Sequence, residues 1–131
     1  MRRVVVLVAS LLAVVLTACG TTSTATPAGK ASGTDAASGL PWVAAAALPS
    51  QARTVIREIH DGGPFAHPGK DGSRFGNYEG LLPKESSGYY QEYTVDTPGA
   101  STRSTRRIIA GKGGELYYTD DHYESFRRIR E

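Results

Sequence analysis

The apolar residues of this chain change their spacing once, from a helical to an alternating pattern, and this change limits the folds open to it. The helical set is Ala52, Val55, Ile56 and Ile59. Ser50 is a candidate N-cap, and Gly62 with Gly63 ends the pattern. Beyond the turn-rich stretch 64–72, the apolar residues alternate with polar ones, which is typical of strands.

Five segments are candidate strands: 74–78, 89–95, 105–110, 116–119 and 126–130. Glycine or proline separates most of them, and such short connections favour antiparallel neighbours. The sequence therefore predicts an α+β domain, in which one N-terminal helix packs on a four- to five-stranded antiparallel sheet. The opposite face of the sheet is left free for a ligand.

The N-terminal third has a different composition. Residues 1–18 resemble a signal peptide, with Arg2 and Arg3 before an apolar run too short to span a bilayer comfortably. The run ends in Leu-Thr-Ala-Cys, which resembles a bacterial lipobox with Cys19 as the lipidated residue; a chance cysteine near an ordinary cleavage site is the alternative. Residues 19–42 are rich in Thr, Ser, Ala and Gly and predict a flexible tether. The folded domain is predicted to span 43–131.

The charge balance bears on the class of function. Arg2 and Arg3 supply two of the 15 basic residues, so 13 remain beside 13 acidic residues once the signal is removed. A protein that held nucleic acid by charge alone would be more basic. The chain also lacks the sequence patterns of a Walker loop, a dinucleotide fingerprint or a Cys/His metal site. We therefore expect no cofactor and no metal.

Three later segments could bring chemically active side chains to one surface. In the strand 89–95, Tyr89, Tyr93 and Val95 suit the core, which turns Glu92 to the other face. Either Ile108 or Ile109 could be the buried isoleucine of the next strand. If Ile108 is buried, Arg107 shares a face with Glu92, and His122 follows in the turn before the last strand.

A carboxylate, a guanidinium and an imidazole suit cleavage of a phosphodiester through its own 2′-hydroxyl. The carboxylate can accept the hydroxyl proton, the imidazolium can protonate the leaving oxygen, and the guanidinium can stabilise charge on the phosphoryl oxygens. Each residue also has an ordinary interpretation. Glu92 beside an arginine could be a solvated pair, His122 an exposed turn residue, and Arg103, Arg106 and Arg107 a basic edge.

Four stretches together resemble the bacterial guanyl-specific ribonucleases, the barnase and streptomycete ribonuclease family: 88–95, 97–100, 102–109 and 117–123. The resemblance covers about 48–129. It implies the microbial ribonuclease fold, with Glu92 as general base and His122 as general acid. It also implies Arg103 and Arg107 as phosphate ligands and Tyr123 as a hydrogen-bonding residue near the phosphate.

The family recognises guanine through a loop of the form Phe-x-Asn-x-Glu. The matching residues, which we call the base loop, are Phe75, Gly76, Asn77, Tyr78 and Glu79. The resemblance implies that Glu79 accepts hydrogen bonds from N1 and N2 of guanine, that loop amides donate to O6 and N7, and that Phe75 supports the base. The alternative is that Glu79 is an exposed acid with no ligand. Gly76, Tyr78 and the missing disulfide depart from streptomycete relatives.

The sequence thus predicts a secreted, metal-independent endoribonuclease that cleaves single-stranded RNA 3′ of guanosine through a 2′,3′-cyclic phosphate. A catalytically silent, surface-tethered RNA- or anion-binding module with the same fold is the alternative. We expect a monomer that is extracellular or held at the cell surface by a lipid anchor. The resemblance also implies a barstar-like cytoplasmic inhibitor as a partner.

Overall fold

The computed structural model describes residues 33–131, so the predicted signal peptide, Cys19 and the first part of the tether lie outside the described residues. A single α-helix, α1, spans Ser50–Asp61, and a 3-10 turn, Ala45–Ala47, precedes it within this part of the chain. The strands are β1 Trp42–Ala44, β2 Ser73–Phe75, β3 Tyr90–Thr94, β4 Arg107–Gly111, β5 Leu116–Thr119 and β6 Arg127–Arg130.

The strands form one sheet in the order β1-β6-β5-β4-β3-β2. Strands β2 to β6 pair antiparallel with their neighbours, and β1 pairs parallel to β6. The α+β class is confirmed. The described sheet has six strands instead of the predicted four to five. The additional strand is β1, which was not predicted because it has three residues and no alternating pattern.

The folded part begins earlier than residue 43. Asp35 and Leu40 close a turn through a backbone hydrogen bond of 2.8 Å, and the Ser38 side chain donates to the Asp35 carboxylate at 2.7 Å. The Asp35 carboxylate also lies 3.7 Å from Arg128 of β6. The end of the predicted tether is therefore part of the domain. The composition of the tether could not predict this, because the contact depends on a residue of β6.

Helix α1 begins one residue away from the predicted cap. Its N-cap is Pro49, which has no side-chain cap bond, and Ser50 is the first helical residue. The C-terminal end is as predicted: Gly62 adopts the left-handed conformation, with φ 76°, and its amide bonds to carbonyl groups of the last turn. Ala52, Val55 and Ile56 are the buried residues of the helix.

The sheet separates two hydrophobic clusters. Ile108 belongs to the cluster under α1, and Ile109 belongs to a second cluster with Tyr90, Tyr117 and Phe126. Both isoleucines are completely buried. The face opposite the helix is therefore partly covered by apolar side chains, and only the remainder is open to a ligand. No helix within residues 33–131 is long and apolar enough to cross a membrane.

Candidate active site

Strands β3 and β4 place Glu92 and Arg107 on the face opposite the helix. In the antiparallel register Glu92 lies opposite Ile109, and Thr94 lies opposite Arg107. Because side chains alternate along a strand, Glu92, Thr94, Arg107 and Ile109 all point to this face. Ile108 packs on the other face of the sheet, against the helix. Arg107 therefore shares a face with Glu92, as predicted for a strand in which Ile108 is buried.

The Glu92 carboxylate is held by hydroxyl groups on both oxygens. Tyr123 donates through its hydroxyl to Oε2, and Ser73 of β2 donates to Oε1 at 3.2 Å. Ser73 lies opposite Glu92 in the β2–β3 register, which explains how it reaches the carboxylate. The sequence did not single out Ser73, since a serine at a strand start carries no signal of its own.

Tyr123 lies between the carboxylate and the other aromatic residues. Its ring centroid is 5.3 Å from that of Phe75 and 4.8 Å from that of His122. Burial raises the pKa of the Tyr123 phenol, and the hydrogen bond to Glu92 raises it further. The hydroxyl therefore remains a proton donor at neutral pH.

Arg107 is buried, with 1% of its surface exposed. Its Nη1 donates to the carbonyl groups of Ser104 and Arg106, the latter at 2.7 Å. The guanidinium carbon is 5.8 Å from the centre of the Tyr123 ring. Within the described chain no carboxylate pairs with Arg107, and its buried Nε has no hydrogen-bond acceptor. A buried cation without an acidic partner is costly, so this arrangement suits an anionic ligand.

Arg103 lies at the same end of the face. Its Nη2 donates to the hydroxyl of Thr94 at 3.0 Å, and the Thr94 amide donates to the Asp71 carboxylate at 2.8 Å. Thr94 is the register partner of Arg107, so the two arginines flank one position of the sheet. Unlike Arg107, Arg103 is exposed.

His122 lies in the tight turn between β5 and β6, and its side chain is exposed. Both His122 and Tyr123 have positive φ angles, 59° and 77°, which are uncommon for residues with side chains. The His122 amide donates to the carbonyl of Thr105 at 3.1 Å, and the Tyr123 amide donates to the Thr119 hydroxyl at 3.2 Å. These bonds hold two consecutive residues in an unfavourable backbone conformation.

Asp121 organises this turn. Its carboxylate accepts hydrogen bonds from the Thr119 hydroxyl at 2.7 Å, from the Ser125 amide at 2.9 Å and from the Ser125 hydroxyl. Burial acts to raise the pKa of Asp121, but the bonds from Ser125 and Thr119 outweigh it and lower the pKa to about 2. This role of Asp121 was not predicted from the sequence, where its only signal is its position directly before His122.

Part of the base loop is internally bonded. The Asn77 amide group donates to the carbonyl of Leu82 at 2.9 Å, and the Leu82 amide donates back to Asn77 at 3.1 Å. Asn77 itself has a φ of 49°. Its side chain therefore fixes the loop, and only its backbone is left to contact a base.

The remaining loop residues face outward or towards Tyr123. The Phe75 ring packs between Tyr123 and Phe126, with a centroid distance of 5.9 Å to the latter. Tyr78 is 85% exposed, and its ring lies so close to Gly76 that a Cβ there would overlap it. Gly76 and Tyr78, the two loop residues that depart from the family pattern, are thus in contact. Glu79 is exposed.

Glu92, Arg107 and His122 therefore all lie around Tyr123, and Phe75 of the base loop packs on the same ring. Tyr123 connects the predicted catalytic residues to the base loop through Glu92 on one side and Phe75 on the other. Across residues 33–131, no group of three or more His, Cys, Asp or Glu side chains is arranged to hold a metal ion.

Comparison with known proteins agrees with this geometry. The family model described as ribonuclease matches residues 31–130. The chain is 50% identical over 90 residues to guanyl-specific ribonuclease St of Saccharopolyspora erythraea, covering 69% of this chain and 88% of that protein. It is 58% identical over 84 residues to guanyl-specific ribonuclease Sa3 of Kitasatospora aureofaciens, covering 63% of this chain and 59% of that protein.

Solved structures give the same result. A structure of ribonuclease Sa2 in complex with mononucleotides matches with a TM-score of 0.68 and 43% identity, covering 70% of this chain and 95% of that one. Ribonuclease Sa2 with guanosine-2′-cyclophosphate matches with a TM-score of 0.66 and 44% identity, over 70% and 97% of the two chains. The chain therefore belongs to the ribonuclease family, in the group of bacterial guanyl-specific ribonucleases.

Proposed function

We propose that this protein is an endoribonuclease that cleaves single-stranded RNA 3′ of guanosine without a metal ion. The observation that carries the proposal is the convergence of the Glu92 carboxylate, the buried Arg107 guanidinium and the His122 turn around Tyr123. The relatives support it, since ribonucleases St and Sa3 are guanyl-specific and ribonuclease Sa2 has been solved with a guanosine cyclic phosphate.

The first step is a transesterification. Glu92 accepts the proton of the guanosine 2′-hydroxyl, and the 2′-oxygen forms a bond to phosphorus. The bond between phosphorus and the 5′-oxygen of the next nucleotide breaks, and His122 donates a proton to that oxygen. The products are a 2′,3′-cyclic phosphate and a free 5′-hydroxyl. In the second step water opens the cyclic phosphate, with the two residues exchanging their acid and base roles.

The arginines and Tyr123 act on the phosphate. Arg107 offers donors that lack an acidic partner, and its burial strengthens its interaction with charge developing on the phosphoryl oxygens. Arg103 adds a second cation at the same end of the sheet. The Tyr123 hydroxyl is a proton donor next to Glu92, so it is placed to reach the phosphate when the 2′-hydroxyl takes its position on the carboxylate.

Guanine selection is assigned to the base loop. The exposed Glu79 carboxylate can accept from both N1 and N2 of guanine, a donor pair that adenine lacks. Loop amides donate to O6 and N7, and the edge of Phe75 supports the base. Because Asn77 fixes the loop through Leu82, these groups are positioned before the ligand binds.

We further infer that the enzyme is exported as a lipoprotein. The support is the order of features in the sequence: a short apolar run, the Leu-Thr-Ala-Cys segment ending at Cys19, and a small-residue tether. A barstar-like inhibitor in the cytoplasm would protect the producing cell before export. We expect the catalytic domain to act as a monomer.

The function is tested by incubating the purified protein, without residues 1–19, with RNA in EDTA and mapping the new ends. We expect cleavage after guanosine, with 2′,3′-cyclic phosphate ends that later become 3′-phosphates. The Glu92→Gln variant is the control for a contaminating nuclease. Binding of RNA without any cleavage would instead support the silent binding module.

A further inference from the structure

We propose that Ser73 is a positioning residue for the general base. Its hydroxyl holds Oε1 of Glu92, so that Oε2 is the oxygen that accepts the proton of the guanosine 2′-hydroxyl. The inference rests on the proposed function and deepens it, because it assigns a role to a residue that lies outside the family motifs. The observation behind it is the hydrogen bond of 3.2 Å from the Ser73 hydroxyl to Oε1.

The Glu92 carboxylate depends on hydroxyl groups for its orientation. No basic side chain of residues 33–131 forms an ion pair with it. Its two oxygens accept from the hydroxyls of Ser73 and Tyr123, one on each oxygen. The last torsion of a glutamate side chain has only broad preferences of its own, so these donors set the plane of the carboxylate. Loss of either donor leaves that plane less defined.

The proposed reaction leaves only the Ser73 bond in place. When the guanosine 2′-hydroxyl takes its position on Oε2, the Tyr123 hydroxyl gives way and is free to reach the phosphate. Oε1 undergoes no such exchange, because a general base uses a single oxygen for the proton. The same Oε2 returns the proton when the cyclic phosphate is opened. Ser73 is therefore the donor that fixes the carboxylate during both proton transfers.

The position of the Ser73 hydroxyl is fixed by the backbone. Ser73 and Glu92 are register partners on β2 and β3, so their side chains are neighbours on one face of the sheet. The Gly72 amide donates to the Glu92 carbonyl at 2.9 Å. The Thr94 amide donates to the Asp71 carboxylate at 2.8 Å, which attaches the start of β2 to β3 a second time. A serine has one torsion before its hydroxyl oxygen, so this donor loses little conformational freedom in the bond.

Loss of the Ser73 hydroxyl should affect the chemical step and not substrate binding. A general base that is turned away from the 2′-hydroxyl reacts more slowly, because proton transfer depends on alignment of the reacting atoms. Ser73 contacts the carboxylate and takes no part in holding the guanine or the phosphate. An interaction that stabilises only the transition state lowers kcat when it is lost and leaves KM unchanged.

The first test compares Ser73→Ala, Ser73→Thr and Ser73→Val on GpU. Threonine and valine have nearly the same shape and both suit a strand, but only threonine carries a hydroxyl. We expect kcat to fall by about three- to tenfold in the alanine and valine variants, the effect of one ordinary hydrogen bond, and to recover in the threonine variant. KM should remain as in the wild type in all three. Equal kcat values for the threonine and valine variants would overturn the proposal.

Ser38→Ala is the matched control for these variants. It removes a serine hydroxyl that donates to the Asp35 carboxylate at 2.7 Å, and Asp35 lies beside Arg128 of β6, towards the other edge of the sheet. Loss of this bond should leave kcat on GpU unchanged. A loss of kcat equal to that of Ser73→Ala would show that the effect is not specific to the general base.

A double-mutant cycle distinguishes positioning of the base from support of the fold. Ser73→Ala is combined with Glu92→Gln, and the residual cleavage is measured with excess enzyme. If Ser73 acts through the carboxylate, the alanine should lower kcat in the wild-type background and have little effect once the carboxylate is gone. The same loss in both backgrounds would mean that Ser73 supports the fold and not the base.

A spectroscopic measurement separates failure of this inference from failure of the proposed function. The probe is the NMR resonance of the Glu92 carboxylate carbon, assigned as the signal that Glu92→Gln removes. Without substrate, this resonance should shift in Ser73→Ala and Ser73→Val and return towards its wild-type position in Ser73→Thr. If it does so but GpU is not cleaved, the positioning of the carboxylate stands and only the ribonuclease activity fails. If GpU is cleaved and the resonance is the same in all variants, Ser73 does not hold the base.

Discussion

The hydroxyl of Tyr123 donates a hydrogen bond to Oε2 of Glu92, across 31 positions of sequence. This bond connects the turn after β5 to the middle of β3, and the same ring packs against Phe75 of the base loop. Tyr123 therefore links the proposed general base to the proposed base site. The hydroxyl must give way, at least in part, when a ribose 2′-hydroxyl approaches the carboxylate.

The Tyr123→Phe variant tests this link. The ring contacts with Phe75 and His122 are kept, so the fold should be unchanged, but the hydrogen bond that the hydroxyl would donate to the charged phosphate is lost. Such bonds contribute about 1.5–3 kcal/mol, so kcat/KM on GpU should fall by roughly 10-fold or more. Tyr118→Phe removes a hydroxyl from the helix side of the sheet and should leave the rate unchanged. Equal losses in both variants would contradict a specific role for Tyr123.

Removal of the proposed acid and base should be more damaging. Glu92→Gln and His122→Ala should each lower the rate on RNA by about 10²–10⁴, because each removes one proton-transfer group. The wild-type rate should show a bell-shaped dependence on pH, since Glu92 must be ionised while His122 is protonated. His60→Ala is the matched control, because His60 is an exposed histidine bonded to Glu131 and far along the chain from the site. An active His122→Ala enzyme would show that another group is the acid.

Guanine preference should depend on Glu79. Losing a hydrogen-bonding group of a partly desolvated site costs about 1–3 kcal/mol, so Glu79→Ala should slow GpU cleavage by roughly 5- to 150-fold. ApU cleavage should change little, because adenine does not present the N1 and N2 donor pair. The measurement is kcat/KM on both dinucleotides. A parallel loss on both would mean that Glu79 supports the fold or the phosphate site.

Asp121 should control both acid stability and the catalytic turn. Its pKa of about 2 in the folded protein lies below 3.8, the ordinary value of an aspartate side chain. A lowered pKa contributes stability above the unfolded value, and this contribution is lost as pH falls through the folded value. The melting temperature of the wild type should therefore exceed that of Asp121→Asn at pH 6, and the gap should narrow between pH 4 and pH 2.

The Asp121→Asn variant should also lower kcat more than it raises KM. The turn positions His122 and Tyr123, whereas the hydrogen bonds of Asp121 itself go to Thr119 and Ser125 and not to the base loop. Asp96→Asn is the control, since Asp96 pairs with His67 in an exposed ion pair. A constant gap in melting temperature across this pH range would contradict the linkage.

The lipid anchor has a direct test in the producing cells. Wild-type protein should incorporate radioactive palmitate and fractionate with the membrane, whereas Cys19→Ser should do neither, because acylation requires the thiol. Activity of the catalytic domain on RNA should be the same for both proteins. Equal labelling of the two would refute the lipobox interpretation.

Local patterns in the sequence predict the fold class and the chemical groups of the candidate site. Alternation along 89–95 assigns Glu92 to one face, and helical spacing followed by glycine gives α1, because both periods depend on local backbone geometry alone. The family motifs then predict Glu92, Arg107 and His122 as a catalytic set. Local patterns could not decide between Ile108 and Ile109, since both are apolar and each face of β4 meets a hydrophobic cluster.

The partners of those groups follow from the tertiary structure. Strand β1 exists because β6 pairs with it, and residues 42–44 have no strand pattern of their own. Asn77 belongs to the predicted base loop, and the structure shows that its side chain is bonded within that loop to Leu82. The bond between Tyr123 and Glu92 and the pairing of Ser73 with Glu92 join residues distant in sequence. Contacts of this kind follow from strand register and chain closure, which no single segment encodes.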